Sequence, residues 1–378
     1  MSVGVVIGVI GAGQLGRMLA LAGTRLGARF VFYEDIPSST AYTLGHCYAQ
    51  GQLDAFIDAV DVVTFESENT PVALIDYISA RKPVMPNAKA LFTAQHRGRE
   101  KMLFRSLGIQ TAPFVIVNTL AELHDAVKTI GLPAVLKTTT EGYDGKGQAV
   151  LRTAKDIELA WQRIGNRELV LEGFVSFNRE LSIIAARSIS GEIVFYPLVE
   201  NTHVDGILRL TVAPAPNLSD ALTHKAQAAI QSIMVELGYV GILALELFDT
   251  PDGLVANEMA PRVHNSGHWS QDGAWTDQFE NHCRALLGLP LGDAGMEVPV
   301  AAMINLIGDL GDWQSVLKIP HAAVHLYDKA PRAGRKLGHI NLTANTMTAL
   351  QVSINQFLPN VLLSAEQAAG ADGRLTND

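Results

Sequence analysis

Cysteine is nearly absent from this chain, with two residues among 378, Cys47 and Cys283. Thiols so few and so far apart exclude a disulfide-framed scaffold, and a reducing cytoplasm is the expected setting. Long apolar runs are lacking as well, since none approaches the roughly 20 residues of a membrane-spanning helix. The stretch MSVGVVIGVIGAGQLG is apolar, but it has no basic lead and runs into glycines. It reads as a first buried strand rather than a targeting segment. An excess of positive charge is missing too. The formal net charge of −9 argues against general nucleic-acid binding, which needs a basic face. Any anionic substrate must therefore be gripped by local groups of Lys and Arg. Neither an internal repeat nor a low-complexity linker is visible.

What is present describes a well-buried globular enzyme, 48% hydrophobic against 18% charged. The length predicts two or three domains at roughly 150 residues each. In the first hundred residues VGVVIGVI, ARFVFYED and DVVTFES read as strands and RMLALAGTRLG as a helix closed by Gly27. Gly11-Ala12-Gly13-Gln14-Leu15-Gly16 is the turn between the first strand and that helix. The arrangement is Rossmann-like, with backbone N–H groups and a helix N-terminus facing an anion. Glu34 and Asp35 fall about 20 residues past the turn, where a dinucleotide site places its ribose-binding acid. An NAD(P)-dependent oxidoreductase is therefore one reading, although the same turn serves other anions and nothing downstream looks like a hydride-transfer site. The buried strand from Asp61 ends in Glu66, Glu68 and Asn69, at the carboxyl edge where open α/β sheets bind ligands. Capping of a helix that starts near Pro71 is the competing role for Glu68 and Asn69.

The segment ILALELFDTPDGLVANEMAPRVHNSGH, residues 242–268, reads as a hairpin turning at Thr250-Pro251-Asp252-Gly253. Pairing symmetric about Asp252 opposes Glu246 and Glu258, with Cβ atoms roughly 5 Å apart on one face. Two opposed carboxylates tolerate each other when a cation lies between them, and hard oxygens with no His or Cys beside them suit Mg²⁺ better than Zn²⁺. A solvated hairpin is the alternative, and the apolar neighbours Leu245, Leu247, Ala256 and Met259 speak against it.

A second region opens with His96-Arg97-Gly98-Arg99-Glu100-Lys101 at the start of a helix. LPAVLKTTTEGYDGKGQAVL follows, two strands around a glycine-rich loop with Lys137 at its entry and Lys146 within it. It lacks the Gly-Lys-Ser/Thr of a Walker A loop. A flap of this kind closes over phosphates with backbone N–H groups and ammonium charges, and a plain flexible hairpin is the other possibility. Glu172 to Val175 leave a buried strand as a hinge suited to a nucleotide base, and Glu180 sits in the alternating strand RELSIIAAR. Lys329, Arg332, Arg335, Lys336 and His339 gather around Pro331 and Gly334 in a loop suited to a phosphate, or in a solvated surface loop. Residues 364–378 read as a frayed tail.

The order of these parts resembles the ATP-grasp ligases. The strings GAGQLGRML, TFESEN, EGYDGKGQ, FYPLVENTHVDGILR, NEMAPRVHNSGHW and YDKAPRAGRKLGHINL are similar, over nearly the whole chain, to the bicarbonate-using N5-carboxyaminoimidazole ribonucleotide synthase family of purine biosynthesis. The resemblance implies an α/β ATP-grasp fold in four stretches. These are a Rossmann-like pre-ATP-grasp domain at 1–102, a small α+β flap domain at 103–173, a large α+β domain at 174–363 and the tail. It implies that Arg97, Lys137, Lys146 and the flap residues Tyr143, Gly145 and Gly147 contact ATP phosphates. Glu172, Gly173, Phe174 and Val175 would contact adenine, and Glu180 the ribose. Glu246 and Glu258 would hold Mg²⁺, with Asn257 and His203 beside them. Gln14, Leu15, Glu66, Glu68, Asn69, Tyr143, Asp144, Arg262, His264, Asn265, Lys329, Arg335 and Lys336 would surround aminoimidazole ribonucleotide and bicarbonate, with Asp144, Arg262, His264 and Lys329 nearest the chemistry. Bicarbonate would attack the γ-phosphorus to give carboxyphosphate, and carboxyphosphate, or CO₂ released from it inside the closed site, would carboxylate the exocyclic amine behind the closed flap. Many ATP-grasp enzymes carry a metal-binding Asn two residues after the second Glu; here Ala260 stands there, as in the narrower family. The resemblance further implies a homodimer and a pathway link to a carbamate mutase. A formate-dependent glycinamide ribonucleotide transformylase is the alternative within the same superfamily.

Overall fold

The computed structural model describes residues 4–35, 40–140 and 147–357. Tyr143, Asp144, Gly145 and Lys146 of the flap, and the expected tail, lie outside the described residues.

The first sheet consists of β1 (Val6–Ile10), β2 (Arg29–Tyr33), β3 (His46–Tyr48) and β4 (Val62–Phe65) in the order β3-β2-β1-β4, all parallel. β1 and β4 are almost continuously apolar, as strands covered on both faces must be. The helix Gln14–Thr24 follows the glycine turn, and Gly27, at a φ of +81°, ends the connection back to β2.

A second, antiparallel sheet holds β5 (Phe114–Val117), β6 (Ala134–Thr138), β7 (Gln148–Leu151) and β8 (Leu169–Gly173) in the order β5-β8-β6-β7. The amphipathic helices Leu120–Ile130 and Asp156–Ile164 bury Leu123, Ala126, Ile157 and Ala160 against one of its faces.

The largest sheet comprises β9 (Arg179–Arg187), β10 (Ile193–Phe195), β11 (Val199–Val204), β12 (Ile207–Ala213), β13 (Gly241–Thr250), β14 (Gly253–Ala260), β15 (Val300–Ile307), β16 (Ala322–Leu326) and β17 (Lys336–Ala344). Its order is β14-β13-β9-β11-β12-β15-β17-β16, with β10 paired to β9. Strand alternation divides β13 between two cores. Leu243, Leu245 and Leu247 pack toward the helix Asp220–Glu236, while Ile242 and Ala244 join the core shared with the first sheet.

The β13–β14 hairpin differs from the symmetric pairing expected of it. Thr250 pairs with Gly253 and Leu247 with Ala256, so the turn is centred between Pro251 and Asp252. Beyond that the register shifts, and Leu245 pairs with Met259. Glu246 is therefore opposed by two residues, Asn257 and Glu258, in a β-bulge. Uninterrupted alternation would put Glu258 on the face of Ala256, toward the helix. The extra residue turns it to the face of Glu246.

Candidate active site

The carboxyl end of β4, the start of the helix Arg97–Ser106, the end of β6 and the β13–β14 hairpin converge on one cleft. Glu68, Asn69, Arg97, Glu246, Glu258 and His264 are among its walls. The expected acidic pair is at its centre. Burial, then the charge of Glu258, pushes the Glu246 carboxyl up to about 7. Burial raises Glu258 as well, but the Arg97 guanidinium, 2.7 Å from its Oε2, more than offsets this and holds it below the ordinary carboxylate value. Arg97 pairs with Glu258, whereas the Glu246 carboxyl feels the charges of His203 and Arg262 without an ion pair to either among the described residues, so a cation between the two carboxylates would complement them. Among the described residues no group of three or more His, Cys, Asp or Glu forms a metal cage. The donor set fits a hard divalent ion that takes its other oxygens from phosphate and water.

The hairpin segment taken by itself suggests no histidine beside the pair, but His264 Nε2 lies 3.4 Å from Glu246 Oε1. Burial, then the Arg262 charge, pushes its imidazole down to about 3, so the ring is neutral near pH 7. Its Nδ1 accepts from the Ser266 N–H at 3.3 Å, which leaves the proton on Nε2, toward Glu246. The positive charge on this wall belongs to Arg262, whose Nε donates to Glu68. Burial opposes ionisation of Glu68, but Arg262 overcomes it and holds the carboxyl down at about 2. Glu68 and Asn69 do not cap a helix. The next one, Val72–Ser79, begins after Pro71 without a side-chain cap. Asn265 carries an amide whose oxygen and nitrogen are both buried without a hydrogen-bond partner.

On the nucleotide side Lys137 Nζ donates to Glu172 Oε2 at 3.0 Å, and Lys101 Nζ lies 3.3 Å from Glu172 Oε1. Glu172, expected at the base hinge, is thus a buried bridge between two ammonium groups. Gly173 binds back through its N–H to Pro113 O, and Phe174 through its own to Pro133 O, so the chain leaving β8 stays tied to the second sheet as far as Phe174. Glu180 Oε2 meets His203 Nδ1 at 3.0 Å. Burial would discharge His203, but Glu180 prevails and lifts it to about 9.

The glycine turn is filled from within. Gly13 N–H and Gly16 N–H donate to the two carboxylate oxygens of Glu66, at 2.5 and 2.7 Å. A Cβ on Gly11 or Gly13 would strike that carboxylate. Asp35 accepts from the Gln50 N–H. The features that suggested a dinucleotide site are therefore occupied by the chain's own groups, which removes the observation behind the oxidoreductase reading. Beside Glu66, Lys329 Nζ donates to Gln14 Oε1. Burial pushes the Lys329 ammonium down to about 8. The Leu15 side chain, expected near substrate, is buried in the core instead. So is His339. It lies inside β17, fully buried, with Nδ1 2.7 Å from the Tyr327 hydroxyl and its ring stacked on His325, so it faces the core and not the cationic loop. Lys336 opens β17, and Arg335, the last residue of that loop, donates through Nη1 to Ala330 O.

Sequence reasoning missed Glu100 and Lys101, both buried and both reaching β14. Their spacing of three and four from Arg97 was the available signal, since it sets all three on one helical face. It also missed Gln278, fully buried, whose amide bonds both the N–H and the C=O of His264.

Residues 5–95 match the ribonucleotide synthetase preATP-grasp domain, 102–279 the ATP-grasp domain, and 301–353 the phosphoribosylaminoimidazole carboxylase C-terminal domain. The N5-carboxyaminoimidazole ribonucleotide synthase of Pseudomonas aeruginosa is 48% identical over 353 residues, 92% of this chain and 97% of that protein. The Escherichia coli enzyme of the same name is 40% identical over 96% of both. The crystal structure of the Thermus thermophilus synthetase superposes with a TM-score of 0.89 at 48% identity, covering 93% of this chain and 97% of that one. The synthase of Aspergillus clavatus, crystallised with ADP and 5-aminoimidazole ribonucleotide, gives 0.87 at 31% identity over 95% and 98%. With identity and superposition extending through all three sheets, the chain belongs to the N5-carboxyaminoimidazole ribonucleotide synthase family of ATP-grasp enzymes.

Proposed function

We infer that this protein is an ATP-dependent carbon–nitrogen ligase that carboxylates the exocyclic amine of 5-aminoimidazole ribonucleotide with bicarbonate, releasing ADP and phosphate. The observation that carries the reading is the convergence, in one cleft of an ATP-grasp fold, of a carboxylate pair, phosphate-side cations and a separate cationic wall. Glu246 and Glu258 would hold Mg²⁺ against the nucleotide phosphates, and the ion would neutralise charge during phosphoryl transfer. Arg97 and Lys137 reach the same region and exchange their present carboxylate partners for phosphate oxygens.

A bicarbonate oxygen attacks the γ-phosphorus, the bond to the β-phosphate oxygen breaks, and ADP leaves with that electron pair. The amine nitrogen of aminoimidazole ribonucleotide then attacks the carboxyphosphate carbon, phosphate leaves, and the amine gives up a proton. Arg262 is the fixed positive charge available to the carboxylate on this wall. His264, being neutral, contributes a hydrogen bond through Nε2–H rather than a charge. The free polar atoms of Asn265, and Gln14 with Lys329, serve the substrate side, and Lys329, Arg335 and Lys336 supply positive charge for its phosphate. Asp144 is retained as the candidate to orient or deprotonate the amine, on the family resemblance alone. An Asp144→Asn enzyme with unchanged turnover would remove it from the mechanism.

The reading is tested by ADP release from MgATP and bicarbonate, with and without aminoimidazole ribonucleotide, alongside glycinamide ribonucleotide plus formate. Stimulation by aminoimidazole ribonucleotide alone supports it; stimulation only in the control assigns the transformylase reaction instead. A homodimer in the cytoplasm, feeding a carbamate mutase, completes the proposal. The resemblance supports it, the low cysteine content of the chain suits a reducing compartment, and light scattering tests the dimer directly.

A further inference from the structure

We propose that Glu100 and Lys101 are positioning residues which, with Arg97, clamp the β14 bulge from outside the sheet and thereby hold Glu258 opposite Glu246. The proposal rests on the reading of that pair as the metal site. Four consecutive residues of β14 are each held by the segment that begins with the helix Arg97–Ser106. The Ala256 N–H donates to Gln110 O at 2.8 Å. Asn257 O accepts from Lys101 Nζ at 3.3 Å. Glu258 Oε2 accepts from Arg97 Nη1 at 2.7 Å, and the Met259 N–H donates to Glu100 Oε1, also at 2.7 Å. Helical spacing makes this possible, because residues i, i+3 and i+4 lie one above another on a single face.

The clamp answers a specific need. β14 is an edge strand, and among the described residues its outer side has only an isolated bridge between Ala256 and Thr111 in place of a ladder. The bulge breaks the inner ladder as well. Glu100 and Lys101 are 2% and 1% exposed, and charged residues buried to that extent require a partner. Theirs are the carbonyl and the N–H on either side of Glu258. Lys101 also pairs with Glu172, which pairs with Lys137, so one chain of contacts joins the bulge to a nucleotide-side cation of the second sheet. Without the clamp the bulge can slip by one residue, and slippage by one residue carries Glu258 to the opposite face.

The test compares E100L, which deletes the acceptor for the Met259 N–H, with E100Q, whose amide oxygen preserves it. Mn²⁺ affinity in the presence of ADP is read by paramagnetic resonance, ADP affinity in EDTA by calorimetry, and Met259 amide exchange by NMR. E100L is expected to weaken Mn²⁺ binding about tenfold or more, the usual range for removing a group that orients a metal ligand. It should speed Met259 exchange and leave metal-free ADP binding and the KM for aminoimidazole ribonucleotide within about twofold. E100Q should stay close to the parent. K101M, which frees Asn257 O, carries the same expectation for Mn²⁺ and serves if E100L fails to fold. Mn²⁺ affinity and Met259 exchange unchanged in E100L, or a loss as large in E100Q, would overturn the clamp. E246Q separates the two ideas: if it leaves Mn²⁺ affinity intact, the metal reading has failed, and Met259 exchange alone then decides the clamp.

Discussion

Glu246 is a residue whose ionised form the fold disfavours. Its carboxyl is pushed up to about 7 from an unfolded value of 4.5, so its contribution to stability is fully present below pH 4.5 and lost as pH rises through 7. A Glu246→Gln enzyme is therefore expected to lose about 100-fold or more in kcat, about 2.7 kcal/mol of barrier at roughly 1.36 kcal/mol per tenfold. In the absence of nucleotide it should melt at least as high as the parent at pH 8. ADP release and a calorimetric scan check both halves, and a lowered melting temperature at pH 8 would contradict the account. Lys329 offers a second residue-scale outcome. Its ammonium, down at about 8, loses its charge near the working range. The KM for aminoimidazole ribonucleotide should rise as pH climbs through 8. Lys329→Met should raise it by about tenfold or more below pH 8, one lost charged hydrogen bond at roughly 1.5–3 kcal/mol, and the difference from the parent should shrink above pH 8. Lys329→Arg should flatten the alkaline limb.

At the scale of elements, the helix Gln278–Leu286 ties the first sheet to the third. His282 Nδ1 accepts from the Ile242 N–H of β13 at 3.1 Å, which leaves Nε2 to donate to Thr64 Oγ1 of β4 at 2.9 Å. All three residues are buried, so His282→Leu strands a hydroxyl and an amide. A loss of about 1–3 kcal/mol is expected in chemical denaturation, the cost of unpaired buried polar groups. Thr64→Val, which strands only the His282 Nε2–H and keeps the bond to Ile242, should cost less. Elements of this kind mark the limit of what was legible. The strands, the hairpin and the helix from Arg97 were readable because their periodicity is local. The carboxylate pair was readable because its two members are separated by one tight turn. The bulge was not, since a single unpaired residue leaves no trace in the alternation of LVANEMA until the partner strand is in place. Nor was the filling of the glycine turn, which depends on Glu66, 53 and 50 residues beyond Gly13 and Gly16. The grouping of His339 with the loop cations failed for a related reason. Adjacency in sequence placed it with Arg335 and Lys336, whereas entry into β17 turned it inward.

For the whole molecule, buried titrating groups bound the stable range from both sides. His264 and His282, at about 3 and 4, lie below their unfolded values, so their contribution is present above pH 6.5 and lost as pH falls toward 4 and 3. Glu100, at about 8, and His203, at about 9, lie above theirs, as Glu246 does, and their contributions fade as pH rises through those values. Without ligand the protein should therefore hold its stability between about pH 4.5 and 6.5, where the histidine gains and the carboxyl losses oppose each other, and lose it above about pH 6.5, where only losses remain. Calorimetry from pH 4 to 9 checks this, and MgADP should narrow the alkaline loss by neutralising the Glu246 charge. The clamp on β14 has a bearing on how the molecule comes into being. Its contacts from Lys101, Glu100 and Arg97 span 156, 159 and 161 residues, whereas the hairpin it grips closes across a two-residue turn. Contacts of such unequal reach form at unequal times, short loops first. The strand pair that carries both glutamates is thus expected to form early in folding, with its second glutamate set in place only when distant parts of the chain have met, so the proposed metal site would be the last part of the cleft to be completed.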